Sequence, residues 1–200
     1  LPATQGIPRG IHVNRNMGCP KCGHDIDKFG NYPWVIDVFE KPWKITCPGC
    51  KETFPKNDFA KFYESGKDEN GVFRYEKADR SLLFNADHPD PRDPLHTYGV
   101  DDTMGWKDDK GNVYRFIGYY GHYGAWTNTY RALSNMSTAY VYTGDEKYAR
   151  KAAVALYRIA QLYPEMDYGF WAKLGFDGDK YLKDVGLSIP AGEQSRSVLE

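Results

Sequence analysis

The sequence CPKCGHDIDKFGNYPWVIDVFEKPWKITCPGC, residues 19–50, begins and ends with a Cys-Pro-x-Cys tetrapeptide. The 200-residue chain has no other cysteines than these four, Cys19, Cys22, Cys47 and Cys50. A two-residue gap lets both thiolates of a pair reach one ion, and two such pairs complete a tetrahedral site. We therefore predict that the cysteines hold one Zn²⁺ ion. Because sulfur fills all four coordination positions, this zinc is expected to be structural and not catalytic.

Other interpretations of the cysteines stay open at this stage. Two disulfides would suit an exported protein. A redox Cys-x-x-Cys site would need a pair at a helix N-terminus beside a βαβ pattern, and no such pattern is visible. His12 and His24 lie near enough in sequence to replace a thiolate. Gly23 follows the first pair, where a left-handed backbone often closes such a turn, whereas the less permissive Lys51 follows the second.

Composition excludes some classes of partner. The 26 basic and 27 acidic side chains give a net charge of −1, which offers no broad attraction to nucleic acid or to an anionic membrane. No apolar run approaches the roughly 20 residues that span a bilayer. Aromatic residues make up 16% of the chain. Their flat apolar faces suit a sugar-binding cleft as well as a packed core, and composition alone favours the core.

Sequence patterns divide the chain into four regions. Residues 1–10 look like a loose leader, and 11–60 look like a zinc-ribbon-like unit with strands in NYPWVIDVF and PWKITC. Residues 61–112 form an extended acidic connection, and 113–200 a helical hairpin with a following loop. The connection lacks an Asp-x-Asp-x-Asp-Gly loop, so we expect a solvated loop and no calcium site.

The segment 113–163 predicts two antiparallel helices. Gly144 is expected to end the first helix, Asp145 to cap the second, and Pro164 to stop it. Apolar residues at helical spacing predict one face of the second helix, namely Tyr148, Ala149, Ala152, Leu156, Ile159, Ala160 and Tyr163. The fold class is therefore mainly α, with a small β unit near the N-terminus and long loops.

One helical stretch, GYYGHYGAWTNTYR at residues 118–131, carries the candidate ligand contacts Tyr120, His122 and Trp126. An aromatic ring can stack on a sugar, and histidine can hydrogen-bond to a carboxylate or sulfate. Packing between helices would explain the same residues. Glycines weaken a helix, so their presence here indicates that something packs closely against it. They are Gly118, Gly121 and Gly124.

Several segments, in order, resemble the N-terminal part of heparinase II/III-like polysaccharide lyases. They are CPKCG, GNYPWVIDVFEKPWKITCPGC, FPKNDFAKFYESG, PDPRDPLH, FIGYYGHYGAW and YVYTGDEKYARKA. The resemblance runs from about residue 10 to about residue 170. Each segment alone is a weak signal, whereas the ordered set with the cysteine pairs inside it is fairly specific.

The resemblance implies the beginning of an incomplete (α/α) toroid, followed in the full protein by more helices and a β-sandwich domain. Such lyases cleave uronic-acid-containing polysaccharides, glycosaminoglycan-like or alginate-like, by β-elimination. The implied partner is an acidic polysaccharide, and the implied location is periplasmic or secreted. No catalytic position can be matched residue by residue, so we expect this chain to be inactive alone. The alternative is a non-enzymatic zinc-ribbon binding or scaffold module.

Overall fold

The computed structural model describes residues 18–30 and 32–162, without the side chain of His122. Over this part the fold is mainly helical, as predicted, and each strand is two residues long. The α-helices are α1 (Phe59–Ser65), α2 (Phe116–Tyr119), α3 (Thr127–Thr143) and α4 (Glu146–Leu162). A π-helical segment covers Tyr120–Trp126, and 3₁₀ helices cover His24–Phe29, Tyr75–Lys77 and Arg80–Leu82. The strands are β1 (Ile45–Thr46), β2 (Thr53–Phe54), β3 (Trp106–Lys107) and β4 (Val113–Tyr114).

Short antiparallel pairs replace the longer strands that the sequence predicts. β1 pairs with β2, with Ile45 opposite Phe54, and β3 pairs with β4. Among the described residues of the stretch NYPWVIDVF, Val35 is the one that pairs as a β-bridge. It and Thr46 exchange two N–H···O hydrogen bonds of 2.9 Å. The bridge lies directly before Cys47, so it ties this stretch to the second cysteine pair.

The predicted helical hairpin is confirmed by α3 and α4, which pack against each other. Gly144 ends α3 in a left-handed conformation, and its N–H donates to Tyr140 O at 2.8 Å. Asp145 Oδ1 accepts from the Lys147 N–H at 3.0 Å and so caps α4. Of the predicted inner face, Ala152 is buried and Tyr148, Ala149 and Ile159 are half-buried, but Leu156 and Ala160 are exposed. Tyr163, Pro164 and the predicted leader at 1–10 lie outside the described residues.

Aromatic side chains build most of the core, as composition favours. One buried cluster lies around the cysteines and includes Trp34, Phe54, Phe116 and Tyr119. A second lies around α1 and includes Phe59, Phe62, Phe73 and Ile117. The Trp43 ring joins the two, because its centroid lies 5.2 Å from that of Phe59 and 5.3 Å from that of Tyr120. Helix α2, where the long helical run begins, therefore packs in both clusters, with Phe116 in the first and Ile117 in the second.

The region predicted as a solvated acidic connection, residues 61–112, is packed in part, because most of residues 86–97 are exposed whereas other segments join the core. Helix α1 crosses its predicted start, and Phe62 and Phe73 are fully buried. Most of its aspartates accept hydrogen bonds from backbone N–H groups in turns. For example, Asp68 Oδ1 accepts from the N–H groups of Asn70 and Val72, each at 2.9 Å. Backbone hydrogen bonding of this kind leaves little periodic signal in the sequence, which explains the missed packing.

A buried carboxylate, Asp101, anchors the start of the helical run. Its Oδ2 accepts from the Ile117 N–H at 3.0 Å, in the first turn of α2, and its Oδ1 accepts from the Thr103 N–H at 2.8 Å. The side-chain amide of Asn57 closes a reciprocal pair with the backbone of Asp101, at 3.0 Å and 3.1 Å. Burial raises the pKa of Asp101 to about 6, against the lowering effect of these N–H donors.

The raised pKa of Asp101 predicts a pH-dependent contribution to stability. The folded protein holds this proton more tightly than the unfolded chain does, so the contribution is lost as pH rises through the folded pKa. We expect the unfolding free energy of the wild type, relative to Asp101→Asn, to fall by about 1 kcal/mol between about pH 5 and about pH 7. Urea unfolding of both proteins at the two pH values measures this difference. Equal pH slopes for the two proteins would contradict the assignment.

Candidate functional site

The four cysteines meet at one point. Their Sγ atoms all lie within 4.8 Å of one another, and Cys47 and Cys19 are buried. Cys19 Sγ lies 3.7 Å from Cys50 Sγ, and Cys22 Sγ lies 3.6 Å from Cys47 Sγ. A tetrahedron of sulfur atoms 2.3 Å from a zinc ion has edges of about 3.8 Å. The cluster therefore has the size and the ligands that such an ion requires.

The disulfide interpretation does not describe this arrangement. All four cysteines are free thiols, and the Sγ separations of 3.6 Å and 3.7 Å far exceed the roughly 2.05 Å of a disulfide bond. Within the described part of the chain, the cysteines are also the one group of at least three His, Cys, Asp or Glu side chains arranged to hold a metal ion. The acidic residues of 61–112 form no comparable group there.

Each Cys-x2-Cys pair sits on a hydrogen-bonded turn. The Cys19 N–H donates to Gly23 O at 3.0 Å, and the Gly23 N–H donates back to Cys19 O at 2.8 Å. In the second turn, the Lys51 N–H donates to Cys47 O at 3.0 Å. Both turns close on a residue with positive φ, 63° at Lys51 and 55° at Gly23. Gly23 has ψ −135°, however, and so lies outside the left-handed helical conformation that the sequence predicts for it. At Lys51 the positive φ costs about 1 kcal/mol, because the residue has a Cβ atom.

Burial disfavours the charged thiolate form of Cys19 and Cys22. Desolvation raises the pKa of Cys19 well above its usual value and raises that of Cys22 to about 11. The pKa of Cys50 is lowered, because the backbone N–H of Glu52 and the neighbouring sulfur atoms outweigh the effect of burial. A bound cation would offset the cost of charge on all four sulfur atoms. The site is therefore suited to a metal ion that deprotonates its ligands.

The geometry gives no support to His24 as a metal ligand. The exposed His24 ring turns to Asp27, with 2.7 Å between Nδ1 and Oδ2, and forms no part of the metal-binding group. His12 lies outside the described residues.

Comparison of the chain with family models, curated proteins and solved structures found no match. The function is therefore inferred from the residues and their arrangement. In the described residues, no helix is both long enough and apolar enough to cross a membrane.

The three predicted ligand contacts lie in or at the end of the π-helical segment, in different surroundings. Tyr120 is buried, and its ring packs 5.3 Å from that of Trp43, so it belongs to the core. Trp126 is half-buried at the end of the segment. The side chain of His122 lies outside the described residues. Of the three, Trp126 thus has ring surface that a ligand could reach.

Two side chains of α3 donate hydrogen bonds to backbone carbonyl groups of the π-helical segment. Asn128 Nδ2 donates to Gly124 O at 2.7 Å, and Thr129 Oγ1 donates to Ala125 O at 2.8 Å. These side chains satisfy carbonyl groups where the wider turns return to α-helix. A Cβ atom on Gly124 would lie 2.8 Å from Ile36 Cγ2, so the close packing predicted for these glycines is confirmed at this one. Wide turns of this kind are frequent at functional sites.

A tyrosine from the cysteine-bearing segment joins the same helix and was missed from the sequence. The Tyr32 ring lies 4.9 Å from the Tyr123 ring, and Tyr32 is 45% exposed. The only sequence signal is the run Gly30-Asn31-Tyr32-Pro33, which marks a turn but not its neighbour in space.

Proposed function

We propose that Cys19, Cys22, Cys47 and Cys50 bind one Zn²⁺ ion whose role is structural. The observation that supports this is the tetrahedral spacing of four sulfur ligands, two of them buried. Four thiolates leave no coordination position for water or substrate, so the ion would not take part in chemistry. Instead it would join the two ends of a 32-residue stretch, 19–50, in the manner of a zinc ribbon.

We further propose that the chain is the N-terminal portion of a polysaccharide lyase that acts on uronic-acid-containing glycans. The support is the ordered set of motifs that resembles heparinase II/III-like lyases, from the cysteine pairs to the Thr-Gly-Asp turn of the hairpin. In this proposal α3 and α4 begin an (α/α) toroid, which further helices and a β-sandwich domain complete. The protein would work in the periplasm or outside the cell, where acidic polysaccharides are found.

The chemistry of β-elimination sets what the complete protein must supply. A base removes the ring proton next to the uronate carboxylate, the bond from the ring to the leaving oxygen breaks, and a carbon–carbon double bond forms. Neutralising the carboxylate makes that proton more acidic, and an acid protonates the leaving oxygen. No residue of this chain is assigned to these steps. In this proposal the chain would form one side of the glycan-binding cleft, which the bound metal ion would stabilise.

The product of the reaction tests the lyase proposal. We expect the full-length protein to release an unsaturated uronate, which absorbs ultraviolet light, from at least one of alginate, hyaluronan, heparin and chondroitin sulfate. A neutral glycan such as cellulose serves as the control, because it lacks the carboxylate that acidifies the ring proton. If no acidic glycan gives the unsaturated product, the non-enzymatic binding or scaffold alternative replaces the lyase.

A further inference from the structure

The cysteine-bearing segment lies along the π-helical turns. The side chains of Ile36 and Val38 approach Gly124 so closely that an added Cβ atom would be 2.8 Å and 3.2 Å from them. At the start of the same segment, the Tyr32 ring contacts the Tyr123 ring of the helix, with 4.9 Å between their centroids. The helix and the cysteine-bearing segment therefore share one continuous contact, and Tyr32 lies at its end.

Three tyrosine rings run from the core to solvent at this contact. Tyr119 is buried, and its ring centroid lies 4.8 Å from that of the half-buried Tyr123. The Tyr32 ring follows at 4.9 Å, tilted by 37° to Tyr123, and is 45% exposed. The packed inner rings fix the outer one, so the surface that Tyr32 presents is preorganised.

The backbone of Tyr32 is unusual for a bulky residue. Its φ of 77° lies in the left-handed region, which large side chains rarely adopt. Glycine would adopt this conformation without strain. Trp43 also has a positive φ, 63°, and packs in the core. Tyr32 differs in that it is 45% exposed, so burial offsets less of its backbone strain.

We propose that Tyr32 and Tyr123 form a sugar-binding subsite, in which the Tyr32 ring stacks on the uncharged face of one pyranose unit of an acidic glycan. This inference rests on the proposed lyase function and adds a named contact to it. A tyrosine offers a flat apolar face for the C–H groups of a sugar ring and a polar edge for its hydroxyl groups.

The position of Tyr32 links the subsite to the metal centre. On one side, the 3₁₀ helix His24–Phe29 follows Cys22, whose carbonyl accepts from the Asp25 N–H at 3.2 Å. On the other side, the bridge between Val35 and Thr46 directly precedes Cys47. An ion bound by the cysteines thus fixes both ends of the segment that carries Tyr32. Chelation of the metal is therefore expected to weaken glycan binding as well.

Calorimetric titration of the metal-loaded chain with oligosaccharides of alginate, hyaluronan, heparin and chondroitin sulfate tests the subsite. Tyr32→Gly removes the ring, and it is expected to keep the fold and the metal because glycine tolerates φ 77°. We expect Tyr32→Gly to weaken the affinity about tenfold or more, and Tyr32→Phe, which keeps the stacking face, to change it less than about threefold. The matched control is Tyr142→Ala, because Tyr142 is a tyrosine of α3 that is 84% exposed. Its affinity should equal that of the wild type.

The outcomes separate the subsite from the lyase proposal. If the wild type binds one of these oligosaccharides and Tyr32→Gly binds it equally well, the subsite is wrong and the lyase proposal stands. An equal loss in Tyr142→Ala would also overturn the subsite, since the effect would not be local. If the wild type binds none of the four, the subsite is wrong, and if the full-length protein also forms no unsaturated product, the lyase proposal fails as well. Metal content and circular dichroism of each variant establish that the folds compared are the same.

Discussion

Substitution of Cys47 by serine is expected to abolish metal binding and to unfold the segment around residues 18–56. The Cys47 side chain is fully buried, and its Sγ atom lies 3.6 Å from that of Cys22. Structural zinc supplies of order 10 kcal/mol to the folding of small units, and the two-residue strands of this segment bury little by themselves. Tryptophan fluorescence, to which Trp34 and Trp43 of this segment contribute, measures the loss when it is followed during urea unfolding together with zinc content.

The controls for this substitution come from the same turns. A chelator should bring the wild type to the state of Cys47→Ser and should leave the variant unchanged. Lys51→Gly alters the neighbouring backbone but removes no metal ligand, so this variant should keep the metal. Its free energy of unfolding should rise by about 1 kcal/mol, because glycine adopts φ 63° without strain. If Cys47→Ser and the wild type unfold at the same urea concentration, and a chelator changes the unfolding of neither, the fold of this segment does not depend on a metal ion.

Phe54→Ala is expected to have the second largest effect, a loss of about 3 to 5 kcal/mol in the free energy of unfolding. The Phe54 ring is fully buried and stacks on that of Phe116, with centroids 4.6 Å apart. It also meets the edge of Trp34 at 6.1 Å. Its removal would leave a cavity between the cysteine-bearing unit and the start of the helical run. Urea unfolding of the metal-loaded protein measures the change.

Phe39→Ala is the matched control for Phe54→Ala. Phe39 lies in the same unit but is 85% exposed, so its removal should change stability by less than about 0.5 kcal/mol. Similar losses for the two variants would show that the cluster around Phe54 does not form the core of this unit.

The parts of the fold that the sequence predicts have short-range causes. Four cysteines at fixed spacing predict the cluster of four Sγ atoms that could hold a metal ion, because their Cys-x2-Cys turns depend only on neighbouring residues. The turn between α3 and α4 is similarly local, since Gly144 and Asp145 complete it with their own backbone and side chain. Helical periodicity identifies α4, but it places Leu156 on the inner face although this residue is 55% exposed. The pattern reveals an apolar stripe and not the partner that covers it.

The features missed from the sequence depend on contacts distant along the chain. Asp101 anchors Ile117, sixteen residues away, and pairs with Asn57, forty-four residues away. Tyr32 meets Tyr123 across an even longer separation. Such pairs have no period, so the sequence predicts a solvated connection at residues 61–112 and does not reveal the buried Asp101. The strand expected in NYPWVIDVF is reduced in the described residues to one bridge at Val35, and its neighbour Ile36 packs on the helix at Gly124.

Zinc stoichiometry decides whether the four cysteines hold a metal ion. Elemental analysis of the purified protein, combined with mass spectrometry of the intact chain, reports both the metal and the oxidation state of the cysteines. We expect one zinc ion per chain and four reduced cysteines. A chain without bound metal, or a mass lower by the four hydrogens of two disulfides, would contradict the metal centre on which the fold of residues 18–56 is argued to depend.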